Sequence, residues 1–302
     1  MSLAPIALFA YNRPSHLRRT LEALCRNELA KESDLHIFSD GPKSANDAPR
    51  VKAVRECLKD VSGFQSVTVI EQPANLGLAN SIIQGVTDIC QRDGRTIVLE
   101  DDMVTSHWFL RFMNDGLTTY ESDPEVISIH GYNYPVRAVL PETFFLRGAD
   151  CWGWATWDRG WKHFNPDGAV LLSELERRKL THAFDFEGAY GYTAMLRDQI
   201  AGRNNSWAIR WHASAFLLDK LTLYPGRSLV QNIGLDNSGT HCVATDEFAT
   251  APAEHAVQIR RLPLKENRAA RRQIGDHLRG APRIVRKNWW KRLFSNTPPP
   301  AA

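Results

Sequence analysis

Four short apolar runs, Ile6–Ala10, Leu35–Ser39, Val67–Ile70 and Thr96–Leu99, are each separated by a stretch of helical periodicity. Pro14–Ala30 carries Leu17, Leu21 and Leu24 at i, i+4 and i+7, and Pro14 suits a first helical turn. Val51, Val54 and Leu58 repeat that spacing, as do Leu78, Ile82, Val86 and Ile89. Strands buried on both faces and joined by helices pair as parallel βαβ units. The first half therefore predicts an α/β fold with a mostly parallel central sheet flanked by helices. A fifth run, Val126–Ile129, continues the pattern before an irregular stretch rich in Tyr, Pro and Trp.

Ligands of such sheets bind beyond the carboxyl ends of the strands, so the residues that follow each strand are informative. They are Tyr11-Asn12-Arg13-Pro14, then Ser39-Asp40-Gly41-Pro42, then Glu71 to Gly77, then Glu100-Asp101-Asp102. No GxGxxG follows the first strand and no GxxxxGK[ST] occurs, which argues against a dinucleotide site and a P-loop.

Three adjacent acids where a buried strand surfaces repel one another. Either they share a hard cation such as Mg²⁺ or Mn²⁺, which can bridge nucleotide phosphates, or one caps the next helix and the others are solvated. Ser106 is the better cap. Asp40 either builds a turn or accepts a hydrogen bond from a base or ribose. Arg13 either pairs with a diphosphate or is a surface arginine at a helix start. Trp152, Trp154 and Trp157 are alternating core residues or an aromatic face for a sugar.

The composition, 43% hydrophobic and 24% charged, is that of a globular chain with a sizeable core. Its net charge of +3 hides an imbalance. Ala256–Asn296 holds twelve Lys or Arg against Glu266 and Asp276, and the remainder is net acidic. Three regions are expected: residues 1–130, residues 131–255 completing the same catalytic domain, and a basic tail, 256–302. Five scattered cysteines, odd in number and without CxxC spacing, fit a reducing cytoplasm. Leu3–Ala10 is too short to span a bilayer and lacks the flanks of a signal peptide.

In order along the chain, these motifs resemble the GT-A glycosyltransferases, in particular bacterial family 2-like transferases of cell-surface glycan assembly. They include Asn75-Leu76-Gly77-Leu78-Ala79-Asn80, Gly148 to Trp157, Ser206 to Trp211 and Asn232 to His241. A more distant likeness is to the eukaryotic N-acetylglucosaminyltransferase that initiates complex N-glycans. The resemblance spans about Pro5 to Cys242. It implies the GT-A (nucleotide-diphospho-sugar transferase) fold and metal-dependent transfer of a sugar from a nucleotide donor, commonly a UDP-sugar. Ala10 and Arg13 would lie against the nucleotide, with Arg13 near its diphosphate. Asp40 would read the base, and Asn75, Gly77 and Asn80 would line the cleft. Asp102 would ligate Mn²⁺ or Mg²⁺, with Asp101 toward the ribose or donor sugar. His241 would reach the metal or diphosphate, and Trp152, Gly153 and Trp154 would form the sugar platform.

The chain departs from the pattern at the general base. Relatives carry an acid after the first Trp of a Trp-Asp-x-x-Trp-like segment, where this chain has Ala208. Asp198 is the first substitute and Asp150 the second. Two rivals stand: a nucleotidyltransferase, which the lack of a Gly-rich basic loop after the first strand disfavours, and a nucleic-acid-binding protein organised by the tail. The acidic body and the absence of a recognition motif count against nucleic acid. In Arg283–Phe294 basic residues interleave with Trp289 and Trp290. That pattern predicts peripheral attachment to an anionic membrane on its cytoplasmic side, where a glycan or lipid-linked acceptor is presented, or else docking on the acidic body.

Overall fold

A computed structural model describes residues 2–236 and 247–280. The first half runs β1 (Ile6–Ala10), α1 (Pro14–Leu24), β2 (Asp34–Ser39), α2 (Ala48–Leu58), β3 (Ser66–Glu71), α3 (Leu78–Asp93) and β4 (Arg95–Glu100). A short strand β5 (Met103–Thr105), α4 (Phe109–Thr119) and β6 (Val126–His130) follow. Next come β7 (Thr143–Arg147), β8 (Trp154–Trp157), α5 (Asp158–Trp161), α6 (Gly168–Arg177) and α7 (Thr181–Phe184). The described chain closes with α8 (Tyr192–Ile200), α9 (Trp207–Leu217), β9 (Leu221–Pro225), β10 (Val230–Asn232) and α10 (Arg268–Gly280).

Eight strands form one sheet in the order β3-β2-β1-β4-β8-β6-β9-β7, and β10 pairs with β5 in a small antiparallel ribbon. The β3-β2-β1-β4 half is parallel throughout, as the alternation predicts. Beyond it β8 is antiparallel to both neighbours, β9 is parallel to β6, and β7 is antiparallel to β9. The β4–β8 pairing joins the two halves into one sheet.

Alternation along the strands supplies a core to each face. Ile6, Leu8, Ile97 and Leu99 point to the layer holding Leu17, Leu21, Val54, Phe109 and Met113. Ala7, Phe9 and Val98 point to the layer of Ile82, Val86, Trp154, Trp207 and Trp211. Phe9 stacks on Phe38 at 4.8 Å, and Gly85 lets α3 lie on that pair, since a Cβ there would meet Phe9 at 2.8 Å.

Helix α1 ends six residues before the expected Ala30. Buried Asn27 turns its amide back to the Ala23 carbonyl at 3.0 Å, and Leu29 takes a left-handed φ of 74°. Ser106 donates to the Ala253 carbonyl, and α4 starts three residues later at Phe109. The stretch after Val126–Ile129 is ordered, with strands of four or five residues too short and too buried to show a period.

The charge boundary at Ala256 is not a packing boundary. Val257, Ile259, Leu262 and Leu264 lie against the core of the sheet, and Arg261 pairs with Asp123 at 2.6 Å. Asn267 N–H donates to the Phe145 carbonyl, and α10 buries Ala270, Ile274 and Leu278. No described helix is long and apolar enough to cross a membrane. Arg283–Phe294 lies outside the described residues.

Candidate active site

The carboxyl ends of the parallel strands share one edge with the start of β8. Because β1 is flanked by β2 on one side and β4 on the other, its chain continuations diverge, which opens a crevice between Ala10 and Glu100. Arg13 closes that crevice. Its Nη2 contacts Asp101 Oδ1 and lies 2.8 Å from Asp102 Oδ2. Asp101 also accepts the Tyr11 N–H at 3.3 Å, while Thr20 donates to its carbonyl at 2.9 Å.

The charges here are strongly perturbed. Burial, joined by Asp102 and Asp101, pushes the half-buried Glu100 up to about 8. Burial also raises Asp101, against the opposing pull of Arg13. Burial disfavours the Arg13 charge, but its two aspartates outweigh that and hold it above its ordinary range. One oxygen stands apart: Asp102 Oδ1 is buried and has no hydrogen-bond partner among the described residues.

The chain after β10 lies on this group. Ile233 N–H donates to the Asp102 carbonyl at 2.9 Å, and Gly234 N–H to Asn232 Oδ1 at 2.8 Å. Only glycine permits the approach, because a Cβ at Gly234 would fall 2.1 Å from Asp102 Oδ2 and 2.8 Å from Arg13 Nη1. His16 Nε2 meets Asp236 Oδ2 at 3.1 Å on the far side of the segment. Ile233 and Gly234 enter the sequence reading only as part of a longer motif. Nothing in their residue types announces that they touch the acids.

Among the described residues no three His, Cys, Asp or Glu side chains converge as a ready metal set. The fit to a divalent cation therefore rests on Asp102. Its orphaned Oδ1 is a hard anionic ligand beside two further carboxylates and a single guanidinium. That donor suits Mg²⁺ or Mn²⁺ if a diphosphate completes the shell. His241 lies outside the described residues.

The other expected nucleotide contacts have mixed fates. Ala10 ends β1, buried, with its carbonyl taken by the Asp40 N–H. Asp40 itself is occupied: its carboxylate accepts from Gly41, Leu76 and Gly77 N–H and from the Asn75 amide, at 2.8 to 2.9 Å. It braces the loops after β2 and β3 against each other. Asn75 and Gly77 are parts of that brace. Exposed Asn80 donates to the Leu76 carbonyl.

The two carboxylates expected to serve the acceptor have different surroundings. Asp198 is a surface residue, its side chain 37% exposed, with Oδ1 2.7 Å from Arg203 Nε. It sits six residues after Tyr192 on α8, about 9 Å of helix rise. Asp150 is brought inward. Its Oδ2 accepts from Tyr134 at 3.2 Å and from Tyr224 at 3.5 Å, and its Oδ1 from the Cys151 N–H at 3.0 Å.

The tryptophans divide as well. Trp154 is fully buried, stacked on Trp207 at 5.5 Å and tilted against Trp211 and Trp161. It is core and cannot carry a sugar. Trp157 is core too, with Nε1 on the Leu117 carbonyl. Half-buried Trp152 remains, edge-on to Tyr132 at 4.7 Å and to Phe248 at 6.0 Å. Gly153, buried, accepts the Gly131 N–H through its carbonyl.

The chain matches no family model and no curated protein. Among solved structures it is similar to mannose-1-phosphate geranyltransferase from Thermus thermophilus, at 13% identity over 77% of each chain and a TM-score of 0.36. It is similar to a mannosyltransferase from Pyrobaculum calidifontis solved with GDP-Man and Mn²⁺, at 11% over 72% of each chain, TM-score 0.33. Glucosyl-3-phosphoglycerate synthase from Mycobacterium tuberculosis, solved with Mn²⁺, UDP and glucosyl-3-phosphoglycerate, matches at 9% identity. That match covers 59% of this chain and 67% of the synthase, at a TM-score of 0.33. Likeness at these scores assigns no activity, and the site's chemistry rests on its own residues.

Proposed function

We propose that this chain is a divalent-cation-dependent GT-A glycosyltransferase. It moves a sugar from a nucleotide-diphosphate donor, a UDP-sugar by preference, to an acceptor hydroxyl in surface-glycan assembly. The observation that carries the reading is the Arg13–Asp101–Asp102 group at the divergence of β1 and β4, with Asp102 Oδ1 buried and unpartnered. Arg13 can exchange one aspartate for a diphosphate, which its planar fork recognises through paired N–H bonds. Asp102 would hold the cation, and Mn²⁺ or Mg²⁺ held there supplies charge that offsets the departing diphosphate. Asp150 takes the acceptor's proton as the hydroxyl oxygen bonds the anomeric carbon and the bond to the diphosphate breaks. Half-buried Trp152 offers its ring to the sugar's C–H face.

The test is a panel of nucleotide-sugars scored by thermal shift with and without Mn²⁺, followed by release of nucleotide diphosphate. Stabilisation by a UDP-sugar that needs Mn²⁺ and disappears in Asp102→Ala supports the reading. Release of pyrophosphate in place of nucleotide diphosphate moves the assignment to a nucleotidyltransferase. We also assign Arg283–Phe294 to an anionic membrane surface on the cytoplasmic side. Because residues 256–280 are packed, that is tested by Trp289→Ala with Trp290→Ala in the full chain, on phosphatidylglycerol vesicles. Undiminished sedimentation of the double variant overturns it.

A further inference from the structure

Behind Asp150 stands His130, at the carboxyl end of β6 and fully buried, with Nε2 3.8 Å from Asp150 Oδ2. Among the described residues neither ring nitrogen has a hydrogen-bond partner. Such an imidazole is costly to keep in an apolar setting, so its retention calls for a use. Its ring is fixed by aromatic neighbours, Tyr224 at 4.9 Å and Tyr132 at 6.2 Å between centroids.

We propose that His130 is a positioning residue for Asp150, donating through Nε2–H to Asp150 Oδ2 and holding that carboxylate in one orientation. The inference rests on the reading of Asp150 as the base. A closure of about 1 Å brings the pair from 3.8 Å to hydrogen-bond distance, and such bonds commonly tighten only when substrate is bound.

The surroundings support this role. Asp150 is faced by Tyr134 from the segment after β6, Tyr224 from β9 and the Cys151 N–H of its own loop. Tyr192 of α8 reaches Tyr134 at 3.5 Å, and His212 of α9 spends Nδ1 on the Ala149 carbonyl at 2.7 Å. Among the described residues no lysine or arginine forms an ion pair with Asp150. Burial raises the phenols of Tyr134, Tyr192 and Tyr224 well above their ordinary value, so they remain neutral donors. Burial, against the pull of Asp150, lowers His130 to about 4, so it is neutral at working pH. In the transfer the acceptor O–H bond breaks and its proton passes to Asp150. The acceptor oxygen bonds the anomeric carbon, and the old anomeric bond leaves its electron pair on the nucleotide diphosphate. His130 gains and loses no proton.

The experiment needs no acceptor. Full-length protein carrying ¹⁵N-histidine is followed by long-range ¹H–¹⁵N correlation between pH 5 and 8. His130 is expected to stay neutral with its hydrogen on Nε2, and Asp150→Asn to move the Nε2 resonance. In ¹³C-aspartate-labelled protein, His130→Phe should move the Asp150 carboxylate resonance, because a hydrogen-bond donor to it is lost. His130→Gln, which keeps a donor, should recover most of that shift. A hydrogen on Nδ1, an Nε2 resonance indifferent to Asp150→Asn, or an Asp150 carboxylate resonance unmoved by His130→Phe overturns the role. If His130→Phe does not fold, the wild-type tautomer and its response to Asp150→Asn decide alone. Donor hydrolysis with water tests the transferase reading separately. Its absence overturns that reading and the purpose of the pair together, while its presence with an indifferent His130 overturns the pair alone.

Discussion

Asp102 and Asp150 are both inward-facing carboxylates, yet their surroundings are opposite. Asp102 belongs to a crowded ionic group in which it and Asp101 share one guanidinium, Glu100 lies next in the chain and the backbone of Gly234 presses close. Asp150 is held by phenols and an amide N–H, with a neutral imidazole behind it. The first arrangement suits a residue that must stay anionic and hold charge. The second suits one that takes up a proton and returns it. One type of side chain is divided into two tasks by what stands around it.

The largest effect is expected at the ionic group. Asp102→Ala should cut Mn²⁺-dependent release of nucleotide diphosphate by about 10³-fold, the scale of losing a preorganised electrostatic partner. Its melting temperature should stay within about 3 °C of wild type, since the Arg13–Asp101 contact survives. Asp150→Asn should lower transfer to an acceptor by about 10²-fold and spare donor hydrolysis, as loss of a base predicts. Equal losses in both reactions would erase the contrast between the two carboxylates.

Asp40→Ala should act on stability, by about 2 to 3 kcal/mol in urea unfolding, because it strands the N–H groups of Leu76 and Gly77. Binding loss without destabilisation would return Asp40 to the nucleotide. The acid dependence of stability sharpens the comparison from the other side. His130 stays neutral down to about 4 when folded, against 6.5 for a free imidazole, so the unfolded chain binds a proton the fold refuses. Its contribution is complete above pH 6.5 and drains away as pH falls toward 4. Between pH 7 and 5 that amounts to about 2 kcal/mol, which His130→Phe should remove from the unfolding profile. Smallest of all, Asp198→Asn should leave transfer within about twofold and stability within about 0.5 kcal/mol, as for an exposed ion pair.

Legibility in the sequence follows the same division. Strands β1 to β4 and their acids could be read because each is a contiguous run in which apolar spacing ends abruptly in charge. Glu100, Asp101 and Asp102 are neighbours in the chain, so their crowding is visible without a fold. The Asp150 group is assembled from the segments around Tyr134, Tyr192, Tyr224 and His130, each unremarkable alone and lying from 16 to 74 residues from Asp150. The sheet order β6-β9-β7 gathers His130, Tyr134 and Tyr224, and α8 adds Tyr192. The surface pairing of Asp198 with Arg203 could not be read, because an acid on a helix looks the same in sequence whichever way it faces. Trp154 misled because β8 is buried on both sides and shows no alternation.

The strap from Ala253 to α10 has a consequence for the chain during its synthesis. It ties first to the segments on either side of α4, through Ser106, Trp108, Tyr120 and Asp123, and then to β7. The contacts beside α4 join residues some 138 to 147 positions apart. A nascent chain leaving the ribosome amino end first would carry four folded βα units while the outer flank of α4 still lacked its cover. That flank is the surface where a chaperone, or another half-made copy, would find the protein before its last helix arrives.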